Sequence, residues 1–168
     1  MKKIGITGRS WLKSFHIFFC CAWIGTGLSM LLLGFVKGYT PSGDELYAVN
    51  ASIKLIDDFI IIPAALGSLF TGLLICWLTN WGFFKFNWIV VKWIITVAQI
   101  LFGTFFLGKW VNGATAISNT ERALALQNQT YLYFREMNNY FGSIQVLLLI
   151  VVVFISVFKP WGKKLKKS

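Results

Sequence analysis

Two ionisable side chains, His16 and Lys92, fall well inside the apolar stretches of this chain, and they define the chemistry it could do. An ionisable group at membrane depth is expensive to keep, so it marks a candidate site. A neutral imidazole can ligate haem iron or a soft metal, whereas a lysine ammonium in hydrocarbon needs an anion such as a propionate, a phosphate or a carboxylate. His16 lies about one turn past Trp11 and Lys13, and Lys92 about one turn past Trp88, which puts the two at similar depth. His16, Cys20, Trp23 and Gly27 follow one helical face, and Lys92, Thr96, Gln99 and Gly103 follow another. Where these faces oppose, His16, Lys92, Trp23 and Gln99 make one cofactor pocket, with His16 as the metal ligand. A copper variant uses His16 and Cys20, four residues apart, with Met30 further along, as soft donors for Cu(I). The plainer alternative is an imidazole hydrogen-bonded across helices beside a lysine that snorkels to the nearby surface. Nothing resembles a nucleophile with its base, a phosphate loop or a zinc motif. The single histidine cannot furnish both axial ligands of a bis-histidine haem, so haem would need another ligand, an open position or a second subunit.

The elements that must position these groups are four apolar runs, at about residues 15–35, 59–78, 88–107 and 141–158, each close to the roughly 20 residues that cross a bilayer core. At 57% hydrophobic, the 168-residue chain exceeds the roughly 45–50% of a soluble domain. The expectation is an all-α, transmembrane four-helix bundle forming one integral membrane domain over residues 1–168, with spanning helices at about 11–36, 56–79, 87–108 and 138–159. The first run reads as a spanning helix and not as a removable signal, since it is long and lacks a small-residue cleavage site.

A net charge of +10 could suggest a nucleic-acid partner, but the placement of the charges excludes that reading. Lys2, Lys3, Arg9, Lys13, Lys85, Lys92, Lys159, Lys163, Lys164, Lys166 and Lys167 gather at one side of the runs with no acid among them. The other side holds Lys37, Lys54, Lys109, Arg122 and Arg135 with all six acids, Asp44, Glu45, Asp57, Asp58, Glu121 and Glu136. By the positive-inside rule both termini are cytoplasmic, which four crossings require. Lys92 therefore has no acidic partner on its own side. The lysine-rich end after Trp161 reads as a topology anchor held by anionic lipid. Cys20, Cys21 and Cys76 all lie in apolar runs, so no disulfide framework is implied.

Between the runs, Thr40-Pro41-Ser42-Gly43-Asp44 predicts a turn, and the aromatic segment of residues 79–87 a tight interfacial connection. Ser118-x-x-Glu121 matches a capping box, so a helix is expected to start near Asn119 and to run unbroken into the fourth span, its first half projecting on the exoplasmic side. That projection would serve as a docking surface or as a cap over the bundle. Pro63 predicts a kink, and Asp57 and Asp58 before it read as acids favoured by a helix N-terminus, with an ion or proton entrance as the other reading. Small and polar stripes mark the contact faces, among them Ala65, Ser68, Gly72 and Cys76 on the second helix, and Asn138, Gly142, Gln145 and Ser156 on the fourth.

Trp11-Leu12-Lys13-Ser14-Phe15-His16 with Ala22-Trp23-Ile24-Gly25, Ile62-Pro63-Ala64-Ala65 with Thr71-Gly72, and Trp88-Ile89-Val90-Val91-Lys92 resemble the helices of a broad bacterial superfamily. It includes HemJ-type protoporphyrinogen oxidases, CopD copper-resistance membrane domains and uncharacterised four-helix integral membrane proteins. The closing Phe158-Lys159-Pro160-Trp161-Gly162 is most similar to the uncharacterised group. The resemblance implies the helix order, a multi-pass place in a bacterial cytoplasmic membrane, and a pocket near the cytoplasmic face. In the HemJ-type enzymes the corresponding histidine and lysine are associated with haem binding, which it carries to His16 and Lys92. The chain departs from that branch in lacking a second histidine, and from the copper branch in lacking further His and Met ligands. Three functions are therefore expected in order: haem b or a related tetrapyrrole for redox work, a non-enzymatic structural or accessory membrane subunit, and copper handling. Its partners would be the lipid bilayer and a second copy or another membrane subunit.

Overall fold

The computed structural model of this chain describes residues 4–37 and 42–161. The expected turn at Thr40 and Pro41 and the lysines at positions 2, 3, 163, 164, 166 and 167 lie outside the described residues. Every regular element among the described residues is helical. Helix α1 runs Ile6–Val36. The second rod joins α2, Gly43–Ile56, through a π-helical turn at Asp57–Ile61 to α3, Ile62–Leu78. A third rod joins α4, Asn87–Phe102, through a π-helical turn at Gly103–Leu107 to α5, Gly108–Glu121, and closes with a 3-10 segment at Arg122–Gln127. Helix α6 spans Gln129–Phe158.

All four rods are long and apolar enough to cross a membrane. The third, over its 16, 5 and 14 residues from Asn87 to Glu121, measures roughly 50 Å, well beyond the roughly 30 Å hydrocarbon core. The chain runs up and down. The Ile4 N–H donates to the Leu78 carbonyl (3.3 Å) and the Lys159 ammonium lies 5.2 Å from the Trp81 ring, so both described chain ends and the 79–86 connection meet at one end, called here the terminal end. Helix α1 packs on α3 and α6, and α4 packs on α6. Phe59, Phe70, Phe105, Phe154 and Phe158 point outward from the rods, an exposure that lipid and not water would accept.

Pro63 offers no N–H to the preceding turn, and the helix answers by widening just before it. The Ile62 N–H reaches back to the Asp57 carbonyl, so the expected kink takes the form of a π turn.

The expected helix start near Asn119 is corrected. Ser118 sits in the last turn of α5, where its hydroxyl donates to the Thr115 carbonyl at 3.1 Å and caps nothing. The chain breaks at Arg122, whose φ is 51°, and α6 begins only at Gln129. Asn128 is the cap: its side-chain oxygen accepts from the N–H groups of Thr130 (2.9 Å) and Tyr131 (3.2 Å), while its amide donates to Glu121 (2.8 and 3.0 Å). Glu121 thus completes the Asn128 cap and not a capping box of its own. The break turns Ala125 inward against Leu46, Ala114 and Tyr131, a cluster of almost no solvent exposure at the end opposite the termini, the distal end. The Asn50 amide donates to the Tyr131 hydroxyl (3.1 Å) within it. Ser42 caps α2 by accepting from the Glu45 N–H, and Arg122 lies over the Tyr47 ring at 4.3 Å. The segment expected to project is therefore a packed helical cap built from α2, α5 and the start of α6.

Candidate functional site

His16 is delivered by α1 to the face of α3. Gly72 makes the approach possible: a Cβ there would stand 3.4 Å from the imidazole Cε1. Thr71, one residue earlier, brings its hydroxyl within 2.9 Å of His16 Nδ1. That hydroxyl donates its own proton to the Gly67 carbonyl at 2.7 Å, so its oxygen is left to accept. The pairing assigns the proton of the imidazole to Nδ1 and leaves Nε2 with a lone pair. Nε2 faces Cys20 Sγ at 3.7 Å, a long contact, and Cys20 Sγ in turn lies 3.4 Å from the Ser68 hydroxyl.

His16, Cys20, Ser68 and Gly72 line a cavity of about 370 Å³ in the terminal half, within the range of small-molecule sites. Trp81, Trp88 and Trp93 surround its terminal end, where Trp81 and Trp88 meet edge to face at 5.4 Å. Lys92 lines the same cavity, its ammonium 5.7 Å from the Trp88 ring. The side chain thus folds back one turn toward the terminal surface. No Asp or Glu is part of this wall among the described residues.

The four residues assigned to one pocket are divided. His16, Lys92 and Trp23 line the terminal cavity, and Gln99 does not. Gln99 lies 12 residues into α4, about 18 Å along it, and lines a second, distal cavity of about 630 Å³. Trp23 and Leu149 border both cavities and form the wall between them. Met30 also belongs to the distal cavity, about 21 Å along α1 from His16, so it does not join His16 and Cys20. Among the described residues no group of three or more His, Cys, Asp or Glu could hold a metal ion.

The distal cavity was missed by reasoning from the sequence. Its signal is the glycines: Gly27 and Gly34 accept Val146 and Asn139 closely, at 3.1 and 2.6 Å from where a Cβ would stand, whereas Gly103 and Gly142, also in its wall, meet Gln145 and Leu31 only at the ordinary contact distances of 3.9 and 3.5 Å. Asp57, Asp58, Lys109, Asn112, Asn138 and Asn139 stand toward its distal end. Lys37 borders it too, and burial, with repulsion from Arg135, pulls that ammonium down to about 8.

A four-helix integral membrane protein, with one cavity in each half of its bundle and a helical cap at one end, is the class this fold and these sites define. Residues 10–160 match the family described as a predicted integral membrane protein, DUF2269, and the chain belongs to that family. No curated protein and no solved structure matches it.

Proposed function

We propose that the terminal cavity binds haem b or a related tetrapyrrole for redox work, with His16 Nε2 on the metal and Lys92 paired to a propionate. The observation that carries this reading is the lone pair on Nε2, fixed by the Thr71 hydroxyl, facing a cavity whose one lysine has no carboxylate beside it. A histidine whose other nitrogen is tied by a hydrogen bond is oriented and tuned for ligation. The indole walls of Trp23, Trp81, Trp88 and Trp93 suit a flat apolar ring. The bound group would supply one-electron chemistry, and the protein would supply its orientation, its counter-charge and a dry surrounding. The resemblance to HemJ-type proteins favours the same two residues. The charge bias favours a topology with both chain ends in the cytoplasm and the cap outside, and the family resemblance favours a bacterial inner membrane. A second copy or a partner membrane subunit would complete the iron coordination that a single histidine leaves open.

Protein purified in detergent from haem-replete cells is expected to show a Soret band that His16→Ala abolishes and Lys92→Ala weakens. Colourless wild-type protein refutes the reading.

A second reading is a purely structural or accessory subunit, favoured by the contacts His16–Thr71 and Cys20–Ser68, which join α1 to α3, and by the reciprocal pair in which Gln99 and Gln145 each donate to the other's backbone carbonyl (2.8 and 3.3 Å). Copper handling, the third, keeps only the donors His16 and Cys20, and Cys20-dependent copper retention would restore it.

A further inference from the structure

The two cavities lie end to end. Trp23 lies 12 residues beyond Trp11 on α1, and Leu149 nine residues before the end of α6, distances of about 18 and 14 Å that place both near the middle of a roughly 30 Å core. Both are 7% exposed and pack with Ala64 and Ala65 in one apolar layer. On the distal side of that layer the space is far larger than the roughly 30 Å³ of a water molecule, and its mouth is polar.

One buried polar group in the wall of this space lacks a hydrogen bond. Gln99 is 4% exposed, and its Oε1 has no partner. Its Nε2 donates to the Gln145 carbonyl, which fixes the amide's orientation and leaves Oε1 as a buried acceptor without a partner in the wall of this cavity. At the mouth, Asp58 holds Lys54 at 2.8 Å, whereas Asp57 forms no ion pair among the described residues. Asp57 also opens the π turn of the second rod, and Gly103 opens the one in the third, so both widened turns border this cavity. Such turns recur at functional sites and give a helix room to shift.

We propose that the distal cavity is a water-filled half-channel for protons, entered at Asp57 and closed at mid-membrane by a Trp23–Leu149 gate through which protons reach the terminal cavity. Asp57 takes a proton from distal water and releases it to water hydrogen-bonded along the amides down to Gln99 Oε1. Displacement of Trp23 then lets it cross the apolar layer. Only a proton moves, driven by its own gradient, and no bond among heavier atoms changes. A metal cation would have to cross the apolar Trp23–Leu149 layer as a whole ion, whereas a proton is relayed along water. The path needs only the two cavities in line and does not rest on a tetrapyrrole in the terminal one.

The test is proton entry into phospholipid vesicles that hold the full chain and a pH-sensitive dye, with valinomycin and potassium setting the driving force. Trp23→Ala is expected to raise the flux about tenfold, equivalent to about 1.4 kcal/mol off the barrier. Adding Asp57→Asn, or Gly103→Leu to fill the half-channel, is expected to return it to the wild-type level; Phe70→Ala on the outward face is expected to leave it there. Leu149→Ala opens the same layer from α6 and replaces Trp23→Ala should that variant fail to fold. Folded gate variants with wild-type flux overturn the proposal. So does flux that Asp57→Asn does not reduce, or equal passage of sodium, which would mark an unselective hole.

Discussion

Thr71 sets the chemical state of His16, and its effect can be separated from packing. The hydroxyl accepts from Nδ1 and donates to the Gly67 carbonyl, so it permits one tautomer and presents Nε2 to the cavity. Thr71→Val keeps the shape and removes the acceptor. Leaving that buried N–H without a partner is expected to cost about 1–3 kcal/mol, read as a lowered melting temperature in detergent. If Nε2 is a ligand, the same variant also weakens tetrapyrrole binding by about 10- to 100-fold in a spectral titration. Loss of stability with unchanged binding would assign His16 to helix packing alone. Lys92 completes the contrast: its side chain leans back over Trp88 while it borders the cavity, so snorkelling and a site role are compatible in one conformation.

At the scale of the elements, two departures from a plain α-helix have an identifiable cause. The π turn at Asp57–Ile61 precedes Pro63, where a hydrogen-bond donor is missing. The break between α5 and α6 is made by Asn128, which supplies the acceptor for two N–H groups at once. Asn128→Ala is expected to destabilise the cap by about 1–2 kcal/mol. Hydrogen exchange should rise in the first turn of α6 and remain unchanged at His16, which lies at the other end of the bundle. Faster exchange along the whole of α6 would mean that the cap and the spanning part form one cooperative unit. The alternating intervals from Ala123 to Phe141 look continuous, so periodicity alone gives no sign of this break. A cap residue at Asn128 is the local signal that was available; Ala125 turning inward under α2 is what makes the break worthwhile, and that depends on a contact distant in sequence.

For the molecule as a whole, the sequence gathers eleven basic residues and no acid on one side of the apolar runs, and five basic residues with all six acids on the other, which predicts an orientation. In a variant lacking Cys20, Cys21 and Cys76, Asp44→Cys is expected to react with an impermeant thiol reagent from outside intact cells, and Lys85→Cys only after the membrane is opened; the reverse pattern would invert the topology. Four apolar runs, their alternating direction and the costly positions of His16 and Lys92 were legible in the sequence by itself, because length and hydropathy must match the bilayer whatever the packing. Which side chains share a cavity was decided only by the tertiary structure. A stripe of small residues says that helices approach, but whether a glycine is pressed by its neighbour, as Gly27 is by Val146, or met only at ordinary contact distance, as Gly103 is by Gln145, depends on the rotation and offset of the neighbouring helix. The separation of Gln99 from His16 and Lys92 by Trp23 and Leu149 has the same origin: these residues come from three different helices, and their common layer exists only once the helices are packed.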